Sequence, residues 1–200
     1  LQKEHFEKAL DCYQEALAPC RQIGDLPGES TTLNNLGLIY SRINREKDAI
    51  ECYERGLQIS QKLGDKSDQA YLLYNLGSFH LTLGHITDAK TFLDDSLAIF
   101  RELGDLHGES TNLMDLGTIY RHQGNPNSAL RSYQDSLALK RKLSDELGEA
   151  EVKVNIGGLY LDLDREDEAI AILEKALGVL QKFESPLKSQ VSKWLLEVKS

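Results

Sequence analysis

The sequence predicts an all-α fold, an α-α superhelix built from antiparallel helix pairs. Four full repeats are expected, preceded by a half repeat and followed by a capping helix. Three observations carry this. Asn35-Leu36-Gly37-Leu38-Ile39-Tyr40 returns at a step of 40 residues as Asn75-Leu76-Gly77-Ser78-Phe79-His80, Asp115-Leu116-Gly117-Thr118-Ile119-Tyr120 and Asn155-Ile156-Gly157-Gly158-Leu159-Tyr160. Ala49, Ala89, Ala129 and Ala169 keep the same step, each followed four residues later by Tyr53, Leu93, Tyr133 or Leu173. Ile23-Gly24-Asp25 comes back as Leu63-Gly64-Asp65, Leu103-Gly104-Asp105 and Leu143-Ser144-Asp145. Self-similarity at this spacing marks an array in which each unit stacks on its neighbours.

Each element has a local reason. Leu36, Gly37 and Tyr40 lie on one side of a helix, and Gly37 lets a neighbouring helix approach closely. That contact must outweigh the roughly 1 kcal/mol that glycine costs in a helix interior. Ala49 and Gly56 do the same on the following helix, with Tyr53 and Leu57 filling the space around them. The Gly-Asp pairs read as a left-handed helix stop followed by an N-cap. Asn44, Gly84, Gly124 and Asp164 break each pair internally, all of them residues that tolerate positive φ. Helices are therefore expected near 26–43 and 45–62, with later pairs 40 residues on. Residues 1–23 read as a lone second helix, with Pro19 expected to kink its last turn. Ser185 and Pro186 open a capping helix whose buried stripe is Val191, Trp194, Leu195 and Val198. The expected organisation is one domain over 1–200: a half repeat at 1–23, full repeats at 24–63, 64–103, 104–143 and 144–183, and a cap at 184–200.

The pattern Leu-Gly-x-x-Tyr, then Ala, an aromatic and a small residue resembles the tetratricopeptide repeat in a lengthened form. Six residues beyond the usual 34 add roughly 9 Å of helix at 1.5 Å per residue. The spacing and the Gly-Asp-x-x-Gly-Glu phrase, at Gly24–Glu29 and Gly104–Glu109, look like Pins-type spindle-orientation scaffolds. Similar long repeats occur in rapsyn-like and kinesin-light-chain-like proteins and in bacterial regulators. The resemblance implies a groove that binds extended or helical segments of other proteins, with the first helix of each pair lining it. The clamp by which some members hold a C-terminal carboxylate does not map, because its basic positions carry Thr, Tyr, Met, Glu or Val.

Composition narrows the function classes. The chain has 200 residues, 28% of them charged, and a formal net charge of −9. Acidity is concentrated in residues 144–183, which hold ten acidic and four basic residues, whereas 104–143 hold four and five. With no Lys/Arg stripe, this argues against nucleic acid and anionic membrane as partners. No apolar run approaches the eighteen or so residues of a membrane helix. Three cysteines cannot all pair, and Cys12 and Cys52 take the repeat position of Phe92 and Ile172; they read as core residues in a reducing, cytoplasmic compartment. The only methionine is Met114, so the chain reads as a piece of something longer.

Signals for chemistry are weak, and neither an enzyme nor a cofactor is expected. His80 and His85, five apart, are not expected to share a helix face, so no metal site is assigned. The acidic run Asp162–Glu168 lacks the turn glycine of a calcium loop, where Asp167 stands, and its bidentate glutamate, where Leu173 stands. The candidate site is the groove: Asn34, Asn35 and Arg42; Tyr71, Tyr74 and Asn75; Met114, Asp115, Arg121 and His122; Glu151, Asn155 and Asp162. Asn35, Asn75 and Asn155 form a ladder that either holds a peptide backbone or bonds neighbouring helices. Tyr71, Tyr74 and Met114 are expected to anchor an apolar partner residue, Arg121 an acidic one, and Glu151 with Asp162 a basic one. Phe6, Leu10, Tyr13 and Leu17 should lie bare at the first helix and drive self-association. The expected role is a scaffold or adaptor that holds a partner segment; the second reading is a peptide-sensing regulatory domain of a larger signalling or transcription protein.

Overall fold

The computed structural model describes residues 2–199, and the side chains of residues 6–198. Among them the chain is entirely helical and forms two compact units, 1–104 and 105–200. The first holds α1 (Gln2–Ile23), α2 (Leu26–Arg42), α3 (Glu46–Leu63), α4 (Lys66–Thr82) and α5 (Ile86–Leu103). The second holds α6 (Leu106–His122), α7 (Pro126–Lys142), α8 (Glu146–Asp162), α9 (Glu166–Lys182) and α10 (Leu187–Lys199). Within each unit, consecutive helices pack as antiparallel neighbours, which their two- to four-residue connections enforce.

The connections follow the expected chemistry. Gly64 and Gly104 end α3 and α5 in the left-handed conformation, and Ser144 takes it at φ 56° where the glycine is missing. Asp25, Asp65, Asp105 and Asp145 each accept a hydrogen bond from the backbone N–H three residues on. Inside the pairs, Asn44, Gly84, Gly124 and Asp164 all have positive φ. The acidic run Asp162–Glu168 thus serves as the α8–α9 turn, with Arg165 paired to Glu168. α1 runs through Pro19 to Ile23.

The repeated glycine sets how close the two helices of a pair come. A Cβ at Gly37 would sit 2.5 Å from Tyr53, at Gly77 2.7 Å from Leu93, at Gly117 2.5 Å from Tyr133 and at Gly157 2.5 Å from Leu173. Those four partners are fully or almost fully buried. A second link ties helices through hydroxyls: Ser30 Oγ donates to the Gly56 carbonyl (3.1 Å), Ser96 to Ala70 (2.8 Å) and Ser136 to Ser110 (2.7 Å). The Gly-Glu phrase also has a structural use. Glu29 is buried and accepts from Arg21 (2.9 Å) and Arg55 (3.2 Å), and Glu149 sits 3.3 Å from both Arg141 and Lys153.

Two expectations about the first helix are corrected. Leu10, Tyr13 and Leu17 are half-buried against the cluster of Leu36, Tyr40, Tyr53 and Leu76, so the strip that was to drive self-association is mostly covered by the chain itself. Cys12 is exposed, whereas Cys52 is half-buried and its thiol is pushed up to about 11 by burial. Cys52 packs against the cluster of Leu36, Tyr40 and Tyr53. At the other end α10 buries Val191 and Leu195 fully or nearly so, with Trp194 half-buried, against Val154, Leu173 and Leu180.

Gly117→Leu should cost about 2–3 kcal/mol, because its side chain would overpack Tyr133. Urea denaturation checks this; a loss below about 1 kcal/mol contradicts the assigned contact.

Candidate functional site

In the first unit, a cavity of about 370 Å³ opens between α2 and α4. Leu38, Ser41 and Arg42 come from α2, Tyr74, Asn75, Ser78, Phe79 and Thr82 from α4, and Tyr53 forms part of the floor from α3. The wall residues recur every three or four positions along each helix, the spacing of one helical face. Three of the expected site residues, Arg42, Tyr74 and Asn75, meet here. Tyr53 is expected as a core residue and Phe79 has no expected site role; both are core, pair edge-to-face at 6.5 Å, and also line the cavity. Tyr71 stands one turn before Tyr74 at 36% exposure and leans edge-on against Phe100, ring centroids 5.0 Å apart. A larger depression of about 500 Å³, lined by Glu29, Glu51, Glu54, Arg55 and Lys62 among others, shares no residue with this cavity. Its charges are partly satisfied internally, as the Glu29–Arg55 pair shows.

The asparagine ladder is resolved at its first rung. Asn75 Nδ2 donates to Asn34 Oδ1 at 2.7 Å, a bond from α4 back to α2. Tyr74, Met114 and Val154 stand at the position of Asn34 in the later repeats. Asn35, Asp115 and Asn155 are half-buried on their own helices.

In the second unit a cavity of about 330 Å³ lies among α6, α8, α9 and α10, lined by Arg121, Gly158, Leu161, Asp162, Glu166, Trp194, Glu197 and Val198. Here the expected charge pattern is corrected. Arg121 binds Asp162 with two parallel bonds, one of them Nη2 to Oδ1 at 2.9 Å, so each satisfies the other instead of waiting for a partner's charge. Gly158 permits this, since a Cβ there would lie 2.8 Å from Arg121 Nη1. The Arg121 hydrogen bond holds the Asp162 carboxyl below the usual carboxylate range against the opposing effect of burial, and His122 adds to it. Glu151 is not in this group: it stands eleven residues away on α8, about 16 Å along the helix. Burial pushes its carboxyl up, which Lys140 opposes and Asp145 reinforces. Met114 is half-buried against Ala129, Tyr133, Val152 and Ile156. Sequence reasoning missed Trp194 and Val198 as wall residues because they were read only as a buried stripe.

A further correction concerns the histidines. His80 Nδ1 and His85 Nδ1 lie 3.2 Å apart, and with Asp88 they bring three ligand atoms within 4.8 Å of one another. The two residues would diverge on one continuous helix, but α4 ends at Thr82 and the chain reverses at Gly84 (φ 78°). His85 is therefore the N-cap residue just before α5 and faces back toward His80.

Stacked antiparallel helix pairs with a repeated Leu-Gly contact and wall residues supplied by the first helices define a helical-repeat recognition fold. The chain belongs to the tetratricopeptide repeat family: the family's pattern matches residues 1–62 and 68–142, and a second tetratricopeptide pattern matches 150–179. No curated protein matches the chain. Among solved structures, BtubC from P. vanneervenii is similar over 96% of this chain and 82% of its own, at 20% identity and TM-score 0.82. A signal-transduction ATPase with a tetratricopeptide repeat sensor from Pyrococcus horikoshii is similar at 19% identity and TM-score 0.83, over 97% of this chain but 30% of its own. A Rap protein complexed with competence and sporulation factor is similar at 15% identity and TM-score 0.80, over 98% and 59%. At these identities the likeness establishes the fold. No helix among the described residues is long and apolar enough to cross a membrane.

Because Asp162 has a depressed folded-state value, its pair with Arg121 adds stability above the unfolded carboxylate value of about 3.9, and that stability is lost as pH falls through the folded value. Asp162→Asn should lower stability near neutral pH by at most about 1 kcal/mol, since Asp162 is half-exposed. The wild-type and variant curves of urea stability against pH should converge in acid.

Proposed function

We propose that this chain is a protein-interaction scaffold that holds a segment of a partner protein against the first-helix face, with the α2–α4 cavity as its main anchor. The observation that carries the reading is the make-up of that cavity. Tyr74 and Leu38 offer aromatic and apolar surface over the buried rings of Tyr53 and Phe79, while Arg42, Asn75 and Ser78 offer polar groups at its edge. Aromatic anchors in such a depression dominate binding energy, and rim charges tune rate and selectivity. The partner segment that fits places an apolar or aromatic side chain against Tyr74 and an acidic group near Arg42. The face around Arg121 and Asp162 is neutralised within the chain and makes a smaller charge demand on the partner.

A second reading, a peptide-sensing regulatory domain of a longer protein, is supported by the two relatives whose own lengths extend well past the matched region. One is a Rap protein complexed with competence and sporulation factor and the other an ATPase whose repeats are named a sensor. Both readings use the same cavity and differ in what is joined to it.

The test is a peptide array and pull-down with the wild type, Tyr74→Ala and Arg42→Glu, circular dichroism showing that the helices persist. Tyr74→Ala should cost about 1–3 kcal/mol of binding, and Arg42→Glu should change which peptides are retained and how salt affects them. If both folded variants keep the wild-type partner set, recognition lies elsewhere on the chain.

A further inference from the structure

The turn between α4 and α5 holds a cluster that the recognition reading does not use. His80 lies in the last turn of α4, His85 is the N-cap residue of α5, and Asp88 lies in the first turn of α5. The His85 N–H donates to the His80 carbonyl at 2.9 Å, which clamps the two backbones together. The His80 ring is half-buried and stacked on Phe92, centroids 5.4 Å apart at 23°, so its plane is fixed from below. His85 does not use its imidazole to cap α5. The facing nitrogens, 3.2 Å apart, are at the separation that two ligands occupy on one edge of a tetrahedral ion, roughly 3.3 Å for bonds of 2.0–2.1 Å.

Two of the other repeats show what stands between these groups, the third carrying Asn125 and Ser128 instead. The positions of His80, His85 and Asp88 are taken in the first repeat by Tyr40, Arg45 and Asp48, and in the fourth by Tyr160, Arg165 and Glu168. There the guanidinium lies over the tyrosine ring, at 4.6 Å and 4.4 Å, and binds the carboxylate. The second repeat keeps the aromatic-sized ring and the carboxylate but replaces the fixed cation by a second imidazole. Two neutral imidazoles whose Nδ1 atoms face each other need either one shared proton or one cation between them.

We infer that His80, His85 and Asp88 form a three-ligand site for a divalent transition-metal ion of the zinc, cobalt or nickel type, which takes the place of the guanidinium in the first and fourth repeats. Two imidazoles and one carboxylate suit these ions and not calcium or magnesium, which prefer all-oxygen shells. The remaining coordination positions are open to water, because His85 and Asp88 are exposed.

The experiment uses the full chain without an affinity tag, stripped with chelator and titrated with zinc by calorimetry and with cobalt by visible absorption. One ion should bind per chain, the cobalt spectrum should be that of a low-symmetry nitrogen–oxygen site, and saturating zinc should raise the melting temperature. The double variant His80→Tyr/His85→Arg installs the pair found at Tyr40 and Arg45, so it should stay folded while losing at least about tenfold in affinity. Asp88→Asn should weaken binding less, and Cys12→Ser/Cys20→Ser/Cys52→Ser should bind as the wild type does. The site is overturned if the wild type binds no ion, if the double variant binds equally, or if removal of the cysteines abolishes binding. A His80–His85 pair that titrates normally and ignores zinc is proton-bridged, and that outcome also overturns it.

Discussion

The contact between a helix glycine and the large side chain facing it is what the rest of the structure depends on. Gly37 against Tyr53, Gly77 against Leu93, Gly117 against Tyr133 and Gly157 against Leu173 leave no room for a Cβ. Because the glycine has no side chain, the facing ring or leucine can sit directly on the backbone of the first helix. The pair is then held at a distance that lets Ala49, Ala89, Ala129 and Ala169 become fully buried. Each repeat thereby obtains a core from two helices, although neither could bury its apolar stripe alone. The alternation of tyrosine and leucine at the facing position is tolerated because both fill similar depth against bare backbone.

Given that spacing, the polar links have fixed geometry. The buried serines reach a neighbouring carbonyl at the same sequence separation of 26 residues in three places, from either helix of the pair. Such bonds are modest in net energy, about 1 kcal/mol each, but a hydroxyl buried without a partner would cost more. They therefore select one register of one helix against the next. The aspartate caps act in the same direction by fixing where each first helix starts, and so which of its residues face the cavity walls.

The cavity walls inherit this order. Arg42, Tyr74 and Asn75 come together because α2 and α4 present the same face at neighbouring steps of the repeat, and Asn75 is tied to Asn34 in doing so. In the second unit the same step lets Arg121 reach Asp162, which is 41 residues away and one residue past a full repeat. A repeat protein can thus use one set of positions either to bind across its own helices or to face outward. At Arg121 the pairing with Asp162 satisfies both charges within the chain.

The sequence by itself determined the helix ends, the pairing of helices and the identity of the packing residues. Those depend on local signals: glycine and asparagine at positive φ, aspartate at the cap, and a spacing of 40 that repeats without error. It also placed Arg42, Tyr74 and Asn75 on one face, since a helix of known start has only one way to present them. Tertiary structure alone decided the rest. Whether Arg121 stood open or paired with Asp162 depended on the space above Gly158, which is a property of two helices and invisible in either. That Leu10, Tyr13 and Leu17 are covered depended on how α1 lies on the following pair. His80 and His85 were separated by reasoning from one unbroken helix, whereas the chain reverses between them at Gly84 and brings their nitrogens within 3.2 Å. Periodicity reports which face a residue occupies; it does not report what stands opposite, and the chemistry of these sites is set by what stands opposite.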